Sequence, residues 1–152
     1  MMELGSSTLA QVPTKEPVIV GPDTRLGAVV SALREHRTGA ALVVKGGDLI
    51  GIFTEHDLMR RVDHSSLAWR DKRVSEVMTA RPEVVREDDT LAEALRRMNV
   101  GKFRHLPVVR GCRPVGVVSV RDILSLVASK FPADFINLPP SPEKEARQPW
   151  GG

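Results

Sequence analysis

Laid over itself so that residue 9 falls on residue 74, the chain matches without a gap. "VPTKEPVIVGPDTRL" (12–26) falls on "VMTARPEVVREDDTL" (77–91), so that Val12 meets Val77, Thr14 meets Thr79, Pro17 meets Pro82, Val20 meets Val85, Asp23 meets Asp88 and Leu26 meets Leu91. The same offset carries Val43-Val44 onto Val108-Val109, Gly46 onto Gly111, Gly51 onto Gly116, Asp57 onto Asp122 and Val62 onto Val127, giving twelve identities between residues 9–64 and 74–129. A unit of about 55 residues buries too little apolar surface to be comfortable alone. Two adjacent copies can bury their sheet faces against each other, so the economical architecture is a pseudo-twofold pair within one domain.

Periodicity and turn chemistry give each copy the same order of elements. A short strand (about 18–20 and 83–85) leads to a helix (about 25–36 and 90–100). In the second copy Thr90 and Glu93 have the spacing of a capping box, followed by an apolar stripe of Leu91, Ala94, Leu95 and Met98. Two β-rich runs follow, "AALVV" and "LIGIF", then "HLPVV" and "PVGVVSV", with hairpin turns at "KGGD" and "RGCR". A last helix (about 55–62 and 120–129) closes each unit. The fold class is α/β (α+β), built of tandem β-α-β-β-α repeats. Residues 1–64 hold an N-terminal segment and the first repeat, 65–73 a linker anchored by Trp69, 74–130 the second repeat, and 131–152 a tail with five of the eleven prolines. Proline at that density predicts an extended tail without regular structure.

Composition narrows the function. Aromatic residues are 4% and Tyr is absent, so the core must be aliphatic. No apolar run approaches the roughly 20 residues of a membrane span, and the N-terminus lacks a signal-peptide pattern, which predicts a cytoplasmic protein without a membrane partner. Cys112 is alone in a turn-like segment and reads as a tolerated loop thiol. The net charge of +3 comes with no Lys/Arg block or aromatic-basic interleaving, so nucleic acid is an unfavoured partner. No serine-hydrolase elbow, zinc-protease, P-loop or Cys-His pattern argues for an enzyme, and His36, His56 and His64 lack metal-ligand spacing.

One motif recurs at the same offset: "GIFTEHDL" (51–58) and "GVVSVRDI" (116–123). Taken singly, Thr54-x-x-Asp57 is a helix capping box. Two copies of Gly-apolar-apolar-(Thr/Ser)-x-x-Asp, with "VMT" before the second copy and "RHLPVV" in its strand, resemble the CBS-domain pair, or Bateman module, over residues 9–129. That resemblance implies a regulatory module, not a catalyst. It implies clefts that take adenosyl compounds such as AMP, ADP, ATP, S-adenosylmethionine or NAD-type dinucleotides, no required cofactor, and association into flat homodimers that act on a protein target.

The chemistry suits such a ligand. A carboxylate accepts two hydrogen bonds, so Asp57 or Asp122 can grip the vicinal hydroxyls of a ribose without giving up its cap. Thr54 or Ser119, at a helix start, lies where phosphate is favoured. An adenine fits against Thr14 to Val18 or Thr79 to Val84, and the resemblance adds Ala41 and Pro107 to the ligand-binding set. The copies differ in charge. Arg104, His105 and Arg121 of the second correspond to Gly39, Ala40 and His56 of the first, and Lys102 adds to the second copy's field. Glu35 and Glu55 weaken the first copy's field. A phosphate-bearing adenine nucleotide is therefore better supported by the second copy, while the pseudo-twofold leaves open whether Arg104 and His105 face Asp122 or Asp57. The alternatives are a binder of S-adenosylmethionine or NAD(H), and a ligand-independent module for dimerisation or protein interaction.

Overall fold

The computed structural model describes residues 5–14 and 16–130; the Pro-rich tail lies outside them. Strand β1 (Val18–Val20) enters helix α1 (Leu26–His36), the hairpin β2 (Ala40–Lys45) and β3 (Asp48–Thr54) follows, and α2 (Glu55–Arg61) closes the first unit. After a short strand β4 (Thr79–Ala80), the second runs β5 (Val85–Arg86), α3 (Leu91–Gly101), β6 (His105–Arg110), β7 (Arg113–Ser119) and α4 (Val120–Lys130). The β-α-β-β-α repeat is thus present twice, and its registers match at the offset of the sequence repeat. β1 lies parallel to β2 with Val20 beside Val43, and β5 lies parallel to β6 with Val85 beside Val108. Both hairpins slip register at the same place, between Val43 and Val44 and between Val108 and Val109. Gly46 and Gly47 take positive φ values of 59° and 85°. A tight hairpin turn needs this left-handed backbone, which glycine adopts without strain.

Helices α1 and α3 form for the same reason: an apolar stripe, Leu26, Val29 and Leu33 in one and Leu91, Ala94 and Met98 in the other, buried beneath a sheet. Both end on a left-handed residue, Arg37 and Lys102. The box at the start of α3 is only half made. Thr90 Oγ1 accepts the Glu93 N–H, but the Glu93 carboxylate turns to Arg96 and Arg97, whose guanidiniums hold its pKa down at about 2.

The strands "AALVV" and "HLPVV" are continuous apolar runs because both of their faces are covered. Ala41, Val43 and Phe53 face the helices of the first unit, while Ala40, Leu42 and Ile52 turn to a seam between the units and meet Val117 of β7. The two units are also laced by exchange. Leu9 and Val12 sit in the core of the second unit, and Val74 and Val77 in the core of the first. Backbone bonds repeat the exchange: Leu9 N–H donates to Asp89 O and Val74 N–H to Thr24 O, Leu91 N–H to Ser7 O and Leu26 N–H to Lys72 O. Trp69 is half-buried against the first core, with His64 edge-on at 5.4 Å and Arg70 over its ring.

Candidate functional site

Two clefts flank the pseudo-twofold, and each takes its helix start from one unit and its facing segment from the other. The first, about 1320 Å³, is lined by Thr54, His56 and Asp57 of the first unit, by Thr79 and Pro82 from the entry to the second, and by Phe103 to Pro107. The second, about 1100 Å³, sets Ser119, Val120 and Arg121 against residues of the first unit from Arg34 to Gly39. Glu55, Arg104, His105 and Val120 line both and form the wall between them. The main chain gathers them there. Glu55 N–H donates to Gly39 O and Val120 N–H to Arg104 O, so each final helix starts beside the beginning of its own hairpin, and both starts meet at the dyad.

Asp57 is buried, at 6% exposure. Its Oδ2 accepts the Thr54 N–H at 3.0 Å and the Thr54 hydroxyl at 3.2 Å, and Asp57 N–H donates to Thr54 Oγ1 at 3.3 Å, closing the capping box. The other oxygen, Oδ1, accepts the Thr79 hydroxyl at 3.4 Å and faces Arg61 Nε at 3.6 Å. Strand β4 brings Thr79 there by pairing with Ile52, and Gly51 permits it: a Cβ at Gly51 would stand 2.4 Å from Met78 Sδ. Asp122 makes the same cap, accepting the Ser119 N–H at 2.9 Å while its own N–H donates to Ser119 Oγ at 3.0 Å. Its Oδ1 has no hydrogen-bond partner among the described residues. The counterpart of Arg61 is Leu126, buried in the second core, and the counterpart of Thr79 is Thr14, an exposed residue beside Gly116.

Phe103 gives the Asp57 cleft an aromatic wall. It is 38% exposed, and its ring occupies the space a side chain at Gly101 would need, with Cε2 at 2.1 Å from an added Cβ. Beside it, the His105 ring and Glu55 crowd Gly39, at 3.3 and 3.2 Å from an added Cβ. Burial pushes the His105 pKa below the usual imidazole value, against the opposing pull of Glu55 and Asp122. Among the described residues no cluster of three His, Cys, Asp or Glu could hold a metal, and no helix is long and apolar enough to cross a membrane.

The CBS domain family model matches residues 9–64 and again 74–129. The chain belongs to the CBS-domain family. It is 34% identical over 116 residues to the CBS domain-containing protein CBSCBSPB5 of Arabidopsis thaliana, a match covering 76% of this chain and 21% of that protein, so the chain spans about a fifth of that relative's length. A crystal structure of a CBS-domain containing protein from Agrobacterium tumefaciens is 33% identical, covering 74% of this chain and 90% of that one at a TM-score of 0.68. The CBS domain pair of protein MJ0100, solved in complex with 5′-methylthioadenosine and S-adenosyl-L-methionine, is 25% identical and covers 82% of this chain and 98% of that one at a TM-score of 0.72. The CBS pair is a regulatory fold without catalytic activity of its own.

Within this CBS pair, the residues singled out by sequence divide three ways. Thr54, His56, Asp57, Thr79, Arg104, His105 and Pro107 share the larger cleft. Ser119 and Arg121 share the smaller one, again with Arg104 and His105. Asp122, Thr14, Ala41 and Val84 line neither. Ala41 is fully buried in the first core, and the Val84 carbonyl accepts a bond from Arg97. The start of the basic strand of the second copy, Arg104 and His105, therefore lines the cleft of the first motif as well as that of its own. Phe103 escapes matching copy by copy because its counterpart is Thr38, so the repeat holds no second instance of it. Its signal is local: an aromatic between a helix end and a strand, in a chain with 4% aromatics.

Proposed function

We propose that the Asp57 cleft binds an adenosyl compound and that binding regulates a partner. The observation that carries this is the convergence on one cleft of the Thr54–Asp57 cap, Thr79 and the Phe103–Pro107 segment, in a CBS pair similar to one solved with adenosyl ligands. A ribose diol meets Asp57 Oδ1, whose contacts to Thr79 and Arg61 are long and exchangeable. The base lies against Pro82 and the Phe103 ring. The rest of the ligand meets mixed charges: Arg60, Lys102 and Arg104 with Glu83 and Glu55. That balance suits the sulfonium and zwitterionic amino acid of S-adenosylmethionine better than a bare phosphate chain, so S-adenosylmethionine and 5′-methylthioadenosine are the first ligands to test, ahead of AMP, ADP, ATP and NADH.

Transmission to a homodimer or a protein target requires only that the ligand bind two states with different affinity. Met59 on α2 and Leu124 on α4, related by the repeat and exposed at 80% and 49%, supply an apolar surface for a second copy.

Thermal unfolding of ligand-free protein tests the reading. A ligand at 100 times its dissociation constant adds about 2.7 kcal/mol of stability. The expected result is a shift with S-adenosylmethionine or 5′-methylthioadenosine that is lost in Phe103→Ala. A flat response to every adenosyl compound would refute it.

A further inference from the structure

The smaller cleft carries an apolar groove between α1, α2 and α4. Val30, Leu33, Leu58 and Ala128 line it, with Leu124 at the rim. Val30, Leu58 and Ala128 are only half-buried and Leu124 is 49% exposed, so apolar surface is left in contact with water inside a concave site. Four arginines stand around it, Arg34, Arg37, Arg104 and Arg121, with a single acid, Glu55. None of these four guanidiniums has an ion-pair partner among the described residues, whereas Arg61, Arg73, Arg96, Arg97 and Arg110 each face a carboxylate. The groove therefore suits an occupant that is mainly apolar and carries a negative charge.

A segment of that kind begins where α4 ends. The helix closes at Lys130, and residues 131–138, "FPADFINL", outside the described residues, hold Phe131, Phe135, Ile136 and Leu138 with Asp134 as the one charged side chain. Two of the four phenylalanines of the chain fall there, which a merely solvated tail does not call for. Phe131 follows Leu124 and Ala128 at the i, i+4, i+7 spacing of one helix face, so the apolar stripe beside the groove continues into the tail sequence, where Pro132 disfavours further helix. Eight extended residues reach about 26 Å, and the length of α4 back from Lys130 to Arg121 is about 14 Å, so the segment is long enough to return along the groove. We propose that residues 131–138 dock in the smaller cleft of their own chain, with Phe131 and Phe135 against Val30, Leu58 and Ala128 and with Asp134 toward the arginines. Tethered at Lys130, the segment meets the groove at a roughly millimolar effective concentration, which a separate copy does not match. A second copy seated in the groove through a twofold axis would also set the same arginines against each other. The docked tail closes the smaller cleft and leaves the Asp57 cleft as the open one of the pair.

Paramagnetic NMR of the full chain tests this, with a nitroxide attached at Asn137→Cys in a Cys112→Ser background. The amides of Val30, Leu58 and Ala128 should be broadened, while those of Gly46 and Gly111 at the hairpin turns stay sharp. Adding Phe131→Ser/Phe135→Ser should restore the lost signals, and Asp134→Lys should restore part of them. These substitutions lie in the tail, so the melting transition of the paired units serves as a check that the fold is intact. In a mixture of nitroxide-bearing chain without isotope and isotope-enriched chain without nitroxide, no broadening is expected, because the contact is made within one chain. Sharp amides around the groove in the nitroxide-bearing chain, or broadening that the phenylalanine variant leaves unchanged, would overturn the proposal. Broadening of equal size in the mixture would overturn it as well, by giving the groove to the tail of a second copy.

Discussion

Asp57 and Asp122 occupy the same place in one repeated motif and reach different states. Both cap a helix through the same pair of hydrogen bonds. Asp57 is then enclosed, with Thr79 and Arg61 at its second oxygen, while the second oxygen of Asp122 meets no hydrogen-bonding group among the described residues. The residues that make the difference lie outside the motif. Arg61 has become Leu126 in the second copy, and Thr79 arrives on a strand that pairs with β3, whereas Thr14 stays exposed. A duplicated signature therefore identifies two caps, and its surroundings decide which of the two carboxylates lines a cleft.

The largest expected effect separates the two caps by stability. Asp57→Ala removes a cap and leaves part-buried donors at Thr54 and Thr79 unpaired, at a cost of about 2–4 kcal/mol. Asp122→Ala loses a cap alone, at about 1 kcal/mol. Urea denaturation of the two variants decides it, and equal losses would show that the enclosure of Asp57 contributes nothing.

Next comes the aromatic wall. Gly101→Ala drives the Phe103 ring out of its place, so adenosyl binding should fall by about tenfold, the loss of roughly one stacking contact. Stability should change little, because alanine is the better helix former. Thr38, the counterpart on the other side, can be changed to Ala without affecting adenosyl binding; a loss there would mean that both clefts hold the base.

The smallest effects concern His105, which lies between the copies. Burial holds its pKa down, while Glu55 and Asp122 pull it up. Asp122→Asn should lower the imidazole pKa further and Asp57→Asn should leave it in place, as read by NMR titration of the ring. The folded state resists protonation more than the unfolded chain does. The contribution of His105 to stability is therefore full above the unfolded value near 6.5 and is lost as pH falls through it toward the lowered folded value. In His105→Gln that part of the acid-side slope should vanish.

Much of this is legible in the chain. The offset predicts the paired units, and the hairpin turns, helix stripes and both caps can be placed to within a residue or two, because periodicity and turn chemistry are local. What is not legible is who faces whom. Matching Arg104 and His105 to the motif of their own copy assumes that a repeat builds its own cleft. The dyad places the start of β6 against α2 as well, and no local signal reports that. The half-made box at Thr90 fails for a similar reason: Arg96 and Arg97, one turn on, compete successfully for Glu93.

The exchange of Leu9 and Val12 for Val74 and Val77 has a consequence for how the chain assembles in time. The contact from Leu9 to Asp89 closes a loop that contains the whole first unit, and the second core stays open on one side until it forms. Long-range closures of this kind slow folding and delay the gain in free energy until late. The halves should thus melt as one, in a single transition, and a fragment starting at residue 74 would lack the two side chains that seal its own core. A chain emerging from the ribosome with only its first unit would likewise wait for Val74 and Val77 before that unit is complete.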